Sequence, residues 1–262
     1  MVDAGSSGSR VYLYYWVCYD NSEHNLSLKS NLEITGSLLP DVKPMVNHTT
    51  NEFLGKKVEP GLSEQAPEKA FGYIKELLDY TADNIPSESH NVTSLYILGT
   101  AGMRLLPEDK QTAIYDALKV EIRQNYPYEW NDDDIETISG QDEALYRWVA
   151  LNYALGNIQE PANGNTVASA DMGGASMQLA FQINTQEEKI LKQSQSVSEP
   201  SIETNVTLGN RTYQMFLASW LGYGGNTAFD RWDIEIRLSE GALKFTLFKV
   251  LSTSKWFEIS NN

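Results

Sequence analysis

Asp3-Ala-Gly-Ser-Ser-Gly-Ser-Arg10 and Asp171-Met-Gly-Gly-Ala-Ser176 are two versions of one design, placed far apart in the chain. Each is an aspartate followed by small residues and hydroxyls. Each leads into alternating apolar residues, Val11-Tyr-Leu-Tyr-Tyr-Trp16 and Met177-Gln-Leu-Ala-Phe181. Glycine and serine allow close backbone approach, so such a loop can bring several N–H groups onto one phosphate. An aspartate at its mouth can hold a hydrated divalent cation. Two such loops facing each other would clamp a phosphate chain from both sides, which marks the chain as a phosphate-chemistry enzyme.

Taken singly, either loop reads equally well as a tight turn between strands, and Asp3 and Asp171 as Asx-turn residues. The pair, with its matched aspartates, favours ligation of a metal through water. Ser6, Ser7, Gly8 and Ser9 are then expected to bind phosphate oxygens from one side, and Gly173, Gly174 and Ala175 from the other. Thr100 and Ala101 follow a short apolar strand, at the strand end where open α/β sheets bind ligands. No G-x-x-x-x-G-K-[ST] pattern occurs, and neither loop contains lysine, so this is not a P-loop.

Composition narrows the field. At 262 residues and 41% apolar content, the chain can bury one large core or two smaller lobes. A formal net charge of -15 argues against a nucleic-acid partner, which needs a basic surface. It also requires that a bound polyphosphate be neutralised locally, by backbone N–H groups and a metal ion. The single cysteine, Cys18, excludes an internal disulfide and a cysteine-based zinc site. His24, His48 and His90 lie scattered in polar stretches and read as surface residues. Val11 to Tyr19 is too short an apolar run to span a bilayer. No signal-peptide pattern is visible, although the chain opens almost on a motif, so its true N-terminus is expected further upstream. Sequons at Asn25, Asn47, Asn91, Asn205 and Asn210 modestly favour a lumenal or extracellular origin.

Residues 9–17 read as a strand, and 19–62 as polar and irregular. Ser63 is expected to cap a helix with Ala66, Ala70, Ile74, Leu77 and Leu78 at helical spacing. Residues 95–98 form a buried strand, and Pro107 starts a helix with Ile114, Ala117, Leu118 and Ile122 on one face. Ser139-Gly-Gln-Asp142 resembles a capping box for a helix that Gly156 can stop. Residues 166–170 read as a strand ending at the second loop, and 184–201 as a surface excursion. The order is α/β, with two lobes and the ligand between them. Glu143 falls in a helix's first turn, where acids favour the dipole, and there a carboxylate is expected to stay ionised. Arg104 reads better as a partner for a nearby acid than as a phosphate ligand. Tyr146 and Trp148 read as core.

Four segments now carry a resemblance: Asp3 to Arg10, Gly99-Thr-Ala-Gly-Met-Arg104, Ile138-Ser-Gly-Gln-Asp-Glu-Ala-Leu-Tyr-Arg-Trp148 and Asp171-Met-Gly-Gly-Ala-Ser-Met-Gln178. They resemble, in order, the first four apyrase regions of the nucleoside triphosphate diphosphohydrolase family. Pro60-Gly-Leu-Ser63 and Trp220-Leu-Gly-Tyr-Gly-Gly225 are also similar to family segments. Arg10 to Trp16 and Lys57 to Ser63 look most like the Golgi and lysosome-type branch.

The resemblance covers roughly residues 2–232. It implies a duplicated actin/Hsp70-like (RNase H-like) fold with an interlobe cleft. It also implies hydrolysis of terminal phosphates from nucleoside tri- and diphosphates, dependent on Mg²⁺ or Ca²⁺. By motif position, Glu143 is the expected general base, Ser176 and Gln178 orient the attacking water, and Asp3 and Asp171 hold the metal through water. A lumenal Golgi or extracellular location is implied, with membrane anchorage only in a longer parent chain.

Three departures temper the match. Only Met1 and Val2 precede Asp3, where the family has a full strand, and residue 144 is Ala where the family has Gly. Residues 233–262 do not resemble the fifth apyrase region. The expected division is therefore 1–165, a lobe with the first three motifs, and 166–262, a partial second lobe with the fourth motif and a divergent tail. Two rivals follow: a truncated, catalytically impaired nucleotide- or phosphate-binding derivative, and another duplicated-lobe phosphate enzyme such as an exopolyphosphatase or sugar kinase. The Gly-Gln-Asp-Glu143 and Thr100 to Arg104 segments argue against the last.

Overall fold

The computed structural model describes residues 1–16, 33–34, 39–159, 164–183 and 201–239. In chain order the strands and helices are β1 (Val2–Gly5), β2 (Gly8–Tyr12), β3 (Tyr14–Tyr15), β4 (Glu33–Ile34), β5 (Lys43–Pro44), β6 (Gly55–Val58), α1 (Pro67–Asn84), β7 (Ile97–Gly99), α2 (Ala101–Arg104) and α3 (Glu108–Asn125). There follow β8 (Ile135–Thr137), α4 (Gly140–Ala154), β9 (Ser169–Met172), β10 (Ser176–Gln182), β11 (Ser201–Leu208), β12 (Arg211–Leu221) and α5 (Gly225–Ser239).

Two five-stranded sheets organise the chain. The first has the order β6-β2-β1-β7-β8. β1 and β2 form a hairpin, with Gly5 opposite Gly8, while β7 and β8 run parallel to β1. Parallel neighbours need crossover connections, and the long helices supply them. α1 buries Ala70, Ile74, Leu77 and Leu78, and α3 buries Ile114, Leu118 and Ile122. Together with Val2, Ala4, Val11, Ile97 and Ile135 these side chains make one core.

The second sheet has the order β4-β11-β12-β10-β9, and α4 lies on it. Ala144, Leu145 and Trp148 of α4 pack with Val206, Tyr213, Met215 and Leu217. The Trp148 ring is wholly buried and meets Tyr213 edge-on, at 5.4 Å between centroids. The result is a mixed α/β chain, consistent with an actin-like fold.

Several boundaries differ from expectation for local reasons. The strand expected over 9–17 breaks at Leu13, and β3 leaves the sheet to pair with β5. Ser63 lies in a short 3₁₀ turn, and α1 begins instead at Pro67, whose missing N–H suits the first helical position. The strand expected over 166–170 starts later, because Asn152 at the end of α4 holds both the N–H and the carbonyl of Val167. Ser139 does cap α4, accepting from the Asp142 N–H. The expected excursion over 184–201 lies outside the described residues up to 200, and Ser201 opens β11. One of the three histidines, His24, lies outside them too. His48 is exposed, and His90 is half-buried against the Ile85 carbonyl and the Tyr128 ring.

Candidate active site

The two loops of the sequence are the turns of two hairpins. Ser6 and Ser7 join β1 to β2, and Gly173, Gly174 and Ala175 join β9 to β10. In each hairpin the aspartate sits on the incoming strand, Asp3 opposite Arg10 and Asp171 opposite Gln178. The turns touch: a methyl on Gly174 would lie 2.8 Å from the Ser6 Oγ. α2 presses on the same turn, since a methyl on Gly102 would lie 2.7 Å from the Ser6 Cα. Only residues without a β-carbon allow this approach.

The aspartates converge on one cation. Arg147, on α4, brings Nη2 to 3.5 Å from Asp171 Oδ2 and 4.0 Å from Asp3 Oδ2. Burial pushes the Asp3 carboxyl above its ordinary value of 3.8. Arg147 and Arg10 oppose that shift, and the Asp171 charge adds to it.

The expected phosphate ligands separate into available and occupied groups. Ser7 is exposed and Ser6 half-buried. Ser9 is not available: it is wholly buried in β2, and its N–H donates to Tyr73 Oη. Gly8 is buried at the strand start. In the second turn the Gly173 N–H is spent on the Ser176 carbonyl. The N–H groups at the start of α5 secure this turn from behind, with Gly225 donating to the Gly173 carbonyl and Asn226 to the Gly174 carbonyl. That leaves the N–H groups of Gly174 and Ala175 as its donors among the described residues. Thr100 and Ala101 lie buried at the start of α2, the Thr100 N–H donating to the Ala4 carbonyl at 3.2 Å.

Glu143 stands in the first turn of α4 and is 7% exposed. Its Oε2 accepts from Arg104 Nη2 at 2.7 Å, and Arg104 Nη1 donates to the Ile138 carbonyl at 3.0 Å. Arg104 is therefore the acid's partner, as its sequence context suggested. The first-turn position does not govern Glu143's ionisation. Burial raises its pKa above the ordinary 4.5, and the Arg104 hydrogen bond and charge are the main forces holding it down.

Arg104 Nη2 also lies 3.4 Å from Ser176 Oγ. Gln178 Nε2 donates to Ser176 Oγ at 2.7 Å and to Ser219 Oγ at 3.0 Å. Gln178 Oε1 is buried with no partner among the described residues. Glu143, Arg104, Ser176, Gln178 and Ser219 thus form one connected polar chain beside the turns. A buried, unpaired amide oxygen is costly and suits a water or ligand hydrogen-bond donor.

Sequence reasoning missed three contributors. Ser219 is brought to Gln178 by the β10–β12 register. Gly224 abuts the second turn so closely that a methyl there would lie 2.4 Å from the Ala175 nitrogen. Arg147 lies inside the third motif segment, but sequence reasoning assigned it no role; its i, i+4 spacing from Glu143 on one helix was the one hint that it shares the cleft.

The residues present fit a hard divalent cation held mainly by water. A positive group already lies between the two carboxylates, and both are oxygen donors. Among the described residues no group of three or more His, Cys, Asp or Glu could form an all-protein cage. One or two carboxylates completed by waters and phosphate oxygens is the usual mode for Mg²⁺ at nucleotides.

Comparison with known proteins agrees with this geometry. The GDA1/CD39 (nucleoside phosphatase) family profile matches residues 1–244, beyond the stretch where the motifs alone were legible. The chain is 34% identical over 253 residues to ectonucleoside triphosphate diphosphohydrolase 7 of Homo sapiens, covering 89% of this chain and 40% of that protein. It is 32% identical over 266 residues to ectonucleoside triphosphate diphosphohydrolase 4 of Homo sapiens, covering 90% and 41%. It is 36% identical over 236 residues to the Golgi apyrase of Schizosaccharomyces pombe, covering 88% and 39%. The chain spans about two fifths of the length of these relatives. With two aspartate-led turns in contact, a buried glutamate beside them and a profile match along nearly its whole length, the chain belongs to the GDA1/CD39 (nucleoside phosphatase) family.

Proposed function

We propose that this chain hydrolyses terminal phosphates of nucleoside tri- and diphosphates by attack of a water activated by Glu143. The observation that carries this is the contact of the two aspartate-led turns, with Glu143 and the partnerless Gln178 Oε1 beside them. Ser6, Ser7, Gly174 and Ala175 supply turn donors to the phosphate oxygens, and Thr100 and Ala101 support the first turn. Ser176 and Gln178 orient the water, and Glu143 takes its proton as the oxygen bonds to the terminal phosphorus and the bond from that phosphorus to the bridging oxygen breaks, releasing phosphate and the shortened nucleotide. Asp3 and Asp171 hold Mg²⁺ or Ca²⁺ through water, and the bound cation supplies charge neutralisation on the phosphate chain. Phosphoryl transfer needs this positioning and charge stabilisation more than covalent chemistry.

The two sheets are read as the two lobes of a duplicated actin-like fold. The proposed division stays near residue 165, and the packing of α4 and the pairing of β4 on the second sheet tie earlier segments to that lobe. The substrates are nucleotides and not nucleic acid. Relatives named Golgi apyrase and ectonucleoside triphosphate diphosphohydrolase support a lumenal endomembrane or extracellular location. No helix among the described residues is long and apolar enough to cross a membrane.

Released phosphate from a nucleotide panel with Mg²⁺ or Ca²⁺ tests the reading. Glu143→Ala is expected to lower release by roughly 10²–10⁴, the usual worth of a positioned base. Release that survives this substitution at full rate overturns the assignment.

A further inference from the structure

The Arg147 guanidinium occupies the place where the two cation-binding carboxylates meet. Among the described residues it is the one basic group within 4.0 Å of both Asp3 and Asp171. It is also half exposed, at 49%, whereas Arg104 next to Glu143 is 14% exposed. At 3.5 and 4.0 Å its contacts are looser than directed hydrogen bonds, which lie at 2.7–3.2 Å. A hydrated divalent ion and this guanidinium cannot both stand between the same two carboxylates. The buried Arg104 is committed to holding Glu143, while Arg147 is half exposed and only loosely held.

We propose that Arg147 is a tethered competitor for the metal. It neutralises Asp3 and Asp171 in the free protein, and it must swing away before a divalent cation can bind. When a nucleotide arrives, its phosphate oxygens give the displaced guanidinium a new charge-assisted partner. The metal therefore binds weakly by itself and well as part of a metal–nucleotide complex. This inference rests on the assignment of Asp3 and Asp171 as the cation's carboxylates.

The test is calorimetric titration of the full chain with Mg²⁺ and, separately, Ca²⁺, without nucleotide. Arg147→Met keeps the apolar stem and removes the charge. If the guanidinium covers the carboxylates about nine-tenths of the time, its removal tightens metal binding about tenfold. Arg147→Gln is expected to act in the same direction, and Arg147→Lys to stay near wild type. A substitution that merely damaged the fold would weaken metal binding, so a gain in affinity separates loss of the guanidinium from loss of the fold. Unchanged or weaker binding in both neutral variants overturns the proposal. Asp171→Asn separates the two levels: if it abolishes metal binding in every background, the site assignment stands whatever Arg147 does. If metal binding survives Asp171→Asn, the site assignment fails and the competition fails with it.

Discussion

Glu143 and Asp3 are both carboxylates whose ionisation burial opposes, and they show how individual residues set the chemistry. For Glu143 the decisive neighbour is Arg104, whose hydrogen bond and charge offset desolvation. A general base works only when ionised, so the acidic limb of the rate profile tracks this balance. Arg104→Gln removes the offset, and the acidic limb of kcat/KM is expected to move to higher pH. A profile that keeps its position would show that Arg104 does not control the base.

Asp3 makes a prediction of opposite character. Its folded pKa lies above 3.8, so the folded state favours the protonated carboxyl. The stability it contributes is complete below the ordinary aspartate pKa and is lost as pH rises through the folded value. At neutral pH the charge is a cost to the metal-free protein. Asp3→Asn is therefore expected to raise the Tm in chelator and to reduce the stabilisation given by metal–nucleotide. A lower Tm in chelator would contradict this account. Asp3, Asp171 and Glu143 were legible in the sequence because each heads a short motif. The roles of Arg147 and Ser219 were not, because they depend on a helix face and a strand register, even though Arg147 lies inside the third motif segment. Ser9 illustrates the converse: it lies in the motif, yet strand alternation turns it into the core.

At the scale of elements, α4 and β12 do most to hold the site in place. β12 places Ser219 opposite Gln178, and a methyl on Gly140 at the start of α4 would lie 2.2 Å from Ser219 Oγ. Glycine at 140 thus lets the helix that bears Glu143 close onto the strand that holds Gln178. Ser219→Ala leaves Gln178 with one fewer partner, and kcat is expected to fall about fivefold, the kinetic equivalent of roughly 1 kcal/mol. An unchanged kcat would mean that Ser176 alone fixes Gln178. Trp148 anchors the same helix. Trp148→Ala empties a wholly buried site and is expected to cost about 3–5 kcal/mol in chemical denaturation. A loss under 1 kcal/mol would show that α4 is held some other way. The helices were readable from apolar spacing because α1 and α3 each bury one stripe. Strand ends were less so, since a side chain such as Asn152 can take a backbone pair that the sheet would otherwise claim.

For the whole molecule, the governing feature is that two hairpins on different sheets meet at their turns. The duplicated motif in the sequence foretold two related loops; only the three-dimensional arrangement brings Ser6 against Gly174. The acidic balance of the chain, -15, calls for a bound polyphosphate to be neutralised locally. Family membership follows from motifs and profile together, while the proposed nucleotide-phosphohydrolase activity rests on the turns sharing one cleft. Cysteine crosslinking measures that directly. In a Cys18→Ser background, paired Ser6→Cys and Gly174→Cys substitutions are expected to form a disulfide on mild oxidation, and metal–nucleotide is expected to slow its formation. A folded double variant that keeps both thiols free under the same conditions would place the turns apart and contradict the account.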